Sequence, residues 1–313
     1  MIVCVSGNPS IDKLFEVEHL VVGEIHRPVS FVALPGGKGI HVAQVATLLG
    51  AGAIVTGVLA GHAGRWVAEC LAAEGVRMAF VWGPGETRSS LSVADRATGR
   101  LTEFYEEGVP LTAQAWSELV EIVDGLLDGA QWLALAGSVP AGADIGGYPR
   151  LIAAARRARV PVAVDSRGEA LTRAIAAEPD LVKINAQEAA ELLGAEIDDI
   201  AEARAAATEI RSRAGGDGHA VVITLGERGM VLVDPGGEAW YGQVAARGDY
   251  PVGSGDAFLA GLLTALTAGD SWPRSAALGL GAAAANAEIP GAARLDPARA
   301  REIAATADIR PAP

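Results

Sequence analysis

Positive charge is scarce in this chain, with 25 lysines and arginines against 38 aspartates and glutamates and a formal net charge of −13. Nucleic acids and anionic bilayers are gripped by clustered basic side chains, so this balance excludes both as partners. It leaves room for a small anionic substrate, because a few converging cations can hold one phosphate locally. Cysteine is scarcer still. Cys4 lies in the apolar run IVCVS and Cys70 in a helical pattern, with no CxxC between them. That excludes a disulfide framework and fits a reducing cytoplasm, the expected location. The histidines His19, His26, His41, His62 and His219 show no i, i+4 pair and no ligand spacing, so no zinc site is expected. Long apolar runs are also missing. The most hydrophobic late stretch, 275–293, is broken by Asn286, Glu288 and Pro290, so no membrane span is expected. A strand-like run starts at residue 2, and no cleaved leader is expected before it. Aromatics make up only 5% of the residues although half are hydrophobic, so small aliphatic side chains must build the core.

What is present is an alternation of two patterns. Nearly continuous apolar runs at 2–6, 53–59, 132–135, 161–165, 181–184 and 220–225 predict parallel strands covered on both faces. Between them, Ala- and Leu-rich segments at 41–49, 65–74, 113–127, 145–157 and 201–214 have helical spacing. Such alternation predicts an α/β body, an open parallel sheet with flanking helices. Two regions depart from it. Residues 11–34 suggest short strands around a turn at Gly23, and the runs 89–95 and 101–105 flank a hairpin turn ending at Gly99. Their apolar–polar alternation suits a sheet with one wet face. Together they predict a small β lid, segments 11–34 and 88–106, whose edge invites pairing with a second copy.

Three local clusters carry chemistry. Gly253-Ser254-Gly255-Asp256 precedes the apolar helical run 259–266. Small residues there let backbone N–H groups converge at a helix N-terminus, where the dipole favours negative charge. Asp256 beside them either accepts a proton from an attacking hydroxyl or simply complements the dipole. Gly36-Gly37-Lys38-Gly39 also opens a helix and brings a cation to a spot where backbone can approach a ligand. Lys183-Ile184-Asn185-Ala186-Gln187-Glu188 reads either as a capping box, Asn185 to Glu188, or as a site organising metal-bound water and phosphates. Thr224-Leu225-Gly226 ends a strand and Gly229 turns the chain back, at the carboxyl edge where open α/β sheets bind ligands. No P-loop, no GxSxG elbow and no GxGxxG after the first strand is present.

Taken in order, these clusters resemble the ribokinase-like (PfkB) carbohydrate kinases across nearly the whole chain. Asn8-Pro9-Ser10-Ile11-Asp12, Gly23-Glu24-Ile25-His26-Arg27, Gly85-Glu86-Thr87-Arg88 and Gly137-Ser138-Val139-Pro140 are similar to the subfamily of tagatose-6-phosphate kinase and 1-phosphofructokinase. The resemblance implies one kinase domain of three-layer α/β/α form with a mostly parallel sheet, a β-sheet lid, and a homodimer formed through that lid. It implies ATP-dependent phosphorylation of a ketohexose phosphate with Mg²⁺ and leaves a monovalent cation open. The alternative is a kinase of an unphosphorylated sugar or nucleoside on the same fold. By the resemblance, Asp256 is the base and Gly253, Ser254 and Gly255 form the anion hole. Asp12, Gly37, Gly39, His41 and Ser138 meet the sugar, and Arg27, Lys38 and Arg88 its phosphate. Lys183, Asn185, Thr224, Gly226, Gly229 and Asn286 fall on the nucleotide side, and Glu188 holds the metal through water. Four departures stand out. His41 replaces the family's usual Asn, Ile184 its usual Pro and Val139 its usual Leu, and Asp249-Tyr250-Pro251 before the anion hole is unusual.

Overall fold

The computed structural model describes residues 1–108, 110–139 and 147–313. Pro140 and the start of the helix expected at 145–157 lie outside the described residues. The chain runs β1 (Ile2–Ser6), β2 (Ser10–Val17), β3 (Ser30–Gly36), α1 (Lys38–Leu48), β4 (Ala53–Ala60), α2 (Gly61–Ala73), β5 (Arg77–Met78), β6 (Val81–Gly83), β7 (Arg88–Asp95), β8 (Arg100–Tyr105), α3 (Ala113–Leu126) and β9 (Trp132–Ala136). It continues through α4 (Gly147–Ala158), β10 (Val162–Asp165), α5 (Gly168–Ile175), β11 (Leu181–Asn185), α6 (Ala186–Leu193), α7 (Ile200–Arg213), β12 (Ala220–Thr224), β13 (Met230–Val233) and β14 (Ala239–Gln243). Helices α8 (Ser254–Thr267), α9 (Trp272–Ala287) and α10 (Pro297–Ala305) and strand β15 (Asp308–Pro311) close it.

The large sheet has the order β15-β14-β13-β12-β11-β10-β9-β1-β4-β5, with β6 on β4. From β12 to β5 its neighbours are parallel, and β13 to β15 add an antiparallel edge. Successive side chains of a strand face opposite ways, and β1 shows why its run is apolar throughout. Ile2 and Cys4 enter a core beneath α1, α2, α8, α9 and α10, while Val3 and Val5 enter a second core beneath α3 to α7. Both cores are filled mainly by Ala, Val, Leu and Ile, as the scarcity of aromatics requires. Burial pushes the Cys4 thiol up to about 12, leaving it an inert packing group.

All six expected strands form, and each expected helix has a counterpart within the described residues. Strands β5, β6 and β13 to β15, and helices α5, α9 and α10, were not read from sequence. Strands β5 and β6 span only two and three residues, too short for a periodic signal.

The lid is a separate four-stranded sheet, β3-β2-β7-β8. Its first two strands are longer than expected, and the turn at Gly23 is part of an extended connection, 18–29, rather than a tight hairpin. Register sorts its residues by face. Ser10, Asp12, Arg88, Ser90, Ser92 and Tyr105 share one face, and Phe15, Phe31, Leu91, Val93 and Phe104 share the other.

Candidate active site

Two cavities open at the carboxyl ends of the parallel strands. One, of about 550 Å³, lies between the polar face of the lid and the loops after β1, β9 and β10. The second, of about 700 Å³, is bounded by the ends of β11 and β12 and by α8 and α9. Among the described residues, only Lys38, Gly253 and Asp256 line both. A group held in one cavity can therefore meet a group held in the other at these three residues.

The junction is built by the start of α8. Gly253 caps the helix with φ of 79°, a left-handed conformation, and a Cβ there would lie 2.6 Å from Ala292 Cβ. Only glycine meets both conditions. Ser254 N already donates to Pro251 O at 3.1 Å, and the amides that follow it in the first turn lack intrahelical acceptors and can serve an anion at the junction. Lys183 Nζ stands 2.8 Å from the point where a side chain on Gly255 would begin, which sets a cation beside those amides. From behind, the buried Asn286 side chain braces the loop by donating to Val252 O at 2.9 Å and to Ser254 Oγ at 3.2 Å.

Charge is organised around two buried acids. Asp165, fully buried at the end of β10, accepts from Lys38 Nζ at 2.6 Å and from Lys183 Nζ at 2.7 Å. Burial opposes its ionisation, but Lys183 and Lys38 outweigh that and hold its carboxyl below the usual range. Lys38 also reaches Glu188 Oε1 at 3.2 Å. Burial alone would lower the Lys38 pKa, but Asp165, Asp256 and Glu188 raise it, so the ammonium stays charged. The second acid, Asp256, bonds His41 Nδ1 through Oδ2 at 2.7 Å. The opposite ring nitrogen, Nε2, is 3.2 Å from Asp12 Oδ2 in an ion-pair contact without hydrogen-bond alignment. Burial pulls His41 down, but the two carboxylates raise it to about 10. Asp12 is likewise resisted by burial, yet His41, Ser10 and Arg88 hold it below its ordinary value.

Comparison with known proteins decides what this pairing of cavities belongs to. A sequence model described as pfkB family carbohydrate kinase matches residues 3–299. The chain belongs to the pfkB family of carbohydrate kinases. It is 33% identical over 270 residues to the 1-phosphofructokinase of Rhodobacter capsulatus, covering 86% of this chain and 84% of that one. The structure of Escherichia coli phosphofructokinase-2 with substrates and products superposes with a TM-score of 0.89 at 28% identity, covering 97% of this chain and 98% of that one. Its tetrameric inhibited form superposes with a TM-score of 0.86 at the same 28% identity and the same coverage. The fold is thus ribokinase-like, and the protein is an ATP-dependent sugar kinase.

Most of the expected site residues of this kinase converge. Asp12, Gly37, Lys38, His41, Arg88, Ser138 and Glu188 line the first cavity, and Lys183, Asn185, Thr224, Gly226, Gly229, Ser254 and Gly255 line the second. Asn185 and Glu188 do form a capping box on α6, and Glu188 uses its other oxygen for Lys38.

Three expected residues lie off the walls of both cavities. Arg27 is exposed in the 18–29 connection and lines neither cavity of its own chain. Gly39 packs α1 against β1, where a Cβ would meet Val5 O and Ser6 N at 2.5 Å, and it lines neither cavity. Asn286 is fully buried behind the loop that precedes α8 and lines neither cavity. Tyr250 also stays out of the wall of the second cavity, whereas Asp249 lies in it. Sequence reasoning missed Asp165 and Arg167, which follow one another closely at the end of β10; Arg167 lines the first cavity with Arg88, whose guanidinium is held below its ordinary value chiefly by burial, with a smaller contribution from Arg167. Their place at the carboxyl end of a parallel strand was the available signal.

Proposed function

We propose that this kinase transfers the γ-phosphoryl group of ATP to a hydroxyl of a phosphorylated ketohexose, a fructose phosphate or tagatose 6-phosphate, giving a bisphosphate. The observation that carries this reading is the pair Arg88 and Arg167 on the wall of the lid-side cavity, which Lys38 also lines. Guanidinium groups bind phosphate through paired, rigidly spaced donors. The names of the related phosphofructokinases point the same way.

In this reading the sugar occupies the lid-side cavity and the nucleotide the other. Asp256 takes the proton of the acceptor hydroxyl, and that oxygen attacks the γ-phosphorus. The bond from the γ-phosphorus to the bridging oxygen breaks, and ADP leaves with that electron pair. Charge on the transferring group is met by the amides at Gly253 to Gly255 and by Lys183 and Lys38. Both Glu188 oxygens already have partners, Asn185 N and Lys38 Nζ, which fits contact with Mg²⁺ through water rather than direct ligation. The metal, when bound with the triphosphate, neutralises phosphate charge. ATP and sugar phosphates are retained inside the cell, which puts the proposed reaction in the cytoplasm.

Turnover measured with ATP and Mg²⁺ across fructose 1-phosphate, fructose 6-phosphate, tagatose 6-phosphate, free sugars and nucleosides tests the substrate class. A phosphorylated ketohexose should give the highest kcat/KM. Preference for an unphosphorylated acceptor refutes the phosphate subsite. Asp256→Asn should fold and lose at least ~10²-fold in kcat, the lower range for a positioned base. Near-native turnover in that variant overturns the base assignment.

The assembly we propose is a homodimer through the lid. The sheet face opposite the sugar cavity carries Phe31 and Phe104, 56% and 58% exposed, an apolar face that a second copy would cover.

A further inference from the structure

His41 lies near the start of α1, and its ring ends meet carboxylates from two other elements, Asp256 on α8 and Asp12 on β2. A neutral imidazole has one N–H and one lone pair, so it would set that lone pair against a carboxylate oxygen. Only the doubly protonated ring suits both neighbours. The other elements packed on α1 do not oppose that charge. Strand β1 brings the neutral Cys4 thiol, and β3, β4 and β9 bring no titratable side chain. Lys38 on α1 is committed to Asp165 and Glu188, and Arg88 on β7 acts on Asp12.

We propose that His41 is a positioning residue, an imidazolium clamp that holds Asp256 and Asp12 at one spacing across the sugar cavity. The inference rests on the reading of Asp256 as the base. The clamp engages Oδ2 of Asp256 and so presents Oδ1 to the acceptor hydroxyl. It also places a positive charge between two carboxylates that would otherwise repel each other and an anionic sugar. The ring keeps its charge through the neutral range, since its pKa is raised to about 10. A neutral amide, which the family usually carries here, can donate to these carboxylates but cannot supply the charge.

The test uses the wild-type enzyme with His41→Asn and His41→Gln. Imidazole ¹H–¹⁵N spectra of the wild type at about pH 8.5, between the ordinary histidine range and the raised value, should show a doubly protonated ring that both variants lack. With saturating ATP and sugar phosphate, both variants should lose about tenfold in kcat with KM for ATP unchanged. The alkaline fall of wild-type kcat, centred near the His41 value of about 10, should vanish in both. A neutral His41 ring, or variants with native kcat and an unaltered alkaline limb, overturns the clamp. Because the ring spectrum is read without turnover, it stands apart from the Asp256→Asn result, whose failure would strike only the base assignment.

Discussion

At the scale of single residues, the proposed function depends on which cations reach the lid-side cavity. Arg88 is held on the lid by its own contacts, donating to Asn8 O at 3.2 Å and to Ser90 Oγ at 3.0 Å, so its guanidinium is oriented before substrate arrives. Arg167 stands at the entry to α5 without such a partner set. A charge-assisted hydrogen bond to phosphate contributes about 1.5–3 kcal/mol, a factor of roughly ten or more in affinity. Arg88→Ala and Arg167→Ala should therefore each raise KM for the sugar phosphate about tenfold while KM for ATP stays within about twofold. Steady-state kinetics with each substrate varied in turn checks this. Equal changes in both constants would place the arginines outside the sugar-phosphate subsite.

At the scale of elements, the carboxyl end of β10 joins the two cavities. Its last residue, Asp165, neutralises Lys38 from α1 and Lys183 from β11, so three elements are tied by one buried carboxylate. Removing one partner of a buried ion pair costs about 3–5 kcal/mol, because the charge left behind has no solvent. Asp165→Asn should lower the unfolding free energy by about 3 kcal/mol, read as a lower urea midpoint with an unchanged slope. Because its folded pKa is depressed, the stability Asp165 supplies is present above the ordinary carboxylate value of about 3.9 and is lost as pH falls through the folded one. A variant as stable as the wild type would mean that the two lysines find other partners. The lid strands show a second element-scale effect. Their alternation divides one sheet into a polar face that roofs the lid-side cavity and an apolar face turned away from it.

At the scale of the whole molecule, that apolar face accounts for the proposed dimer. Phe15 and Phe31 pack with ring centroids 5.1 Å apart, and Phe104 lies across the same face on the far edge strand. Sedimentation at assay concentration should give a dimer, and Phe104→Glu should shift it toward monomer by burying a charge in the interface. A monomeric wild type would contradict the assembly. In the main body the two cores are closed by helices on both sheet faces. No helix among the described residues is long and apolar enough to cross a membrane.

The sequence by itself determined the α/β alternation, the double-covered strands, the lid hairpin and the glycine turn before α8. Each rests on local periodicity or on adjacent residues, and local backbone preference is enough to express it. The sequence also carried the ordered motifs by which the family was recognised. Only the tertiary structure decided which side chains converge. His41 and Asp256 are 215 positions apart and meet because α1 and α8 pack together on one face of the sheet. Asp165 lies in a plain apolar run, and its lysine partners come from other elements. Arg27 matched a motif yet lies off the cavity, whereas Arg167 matched none and lines it. Strand order and helix packing set those distances, and neither is encoded in the spacing of residues along the chain.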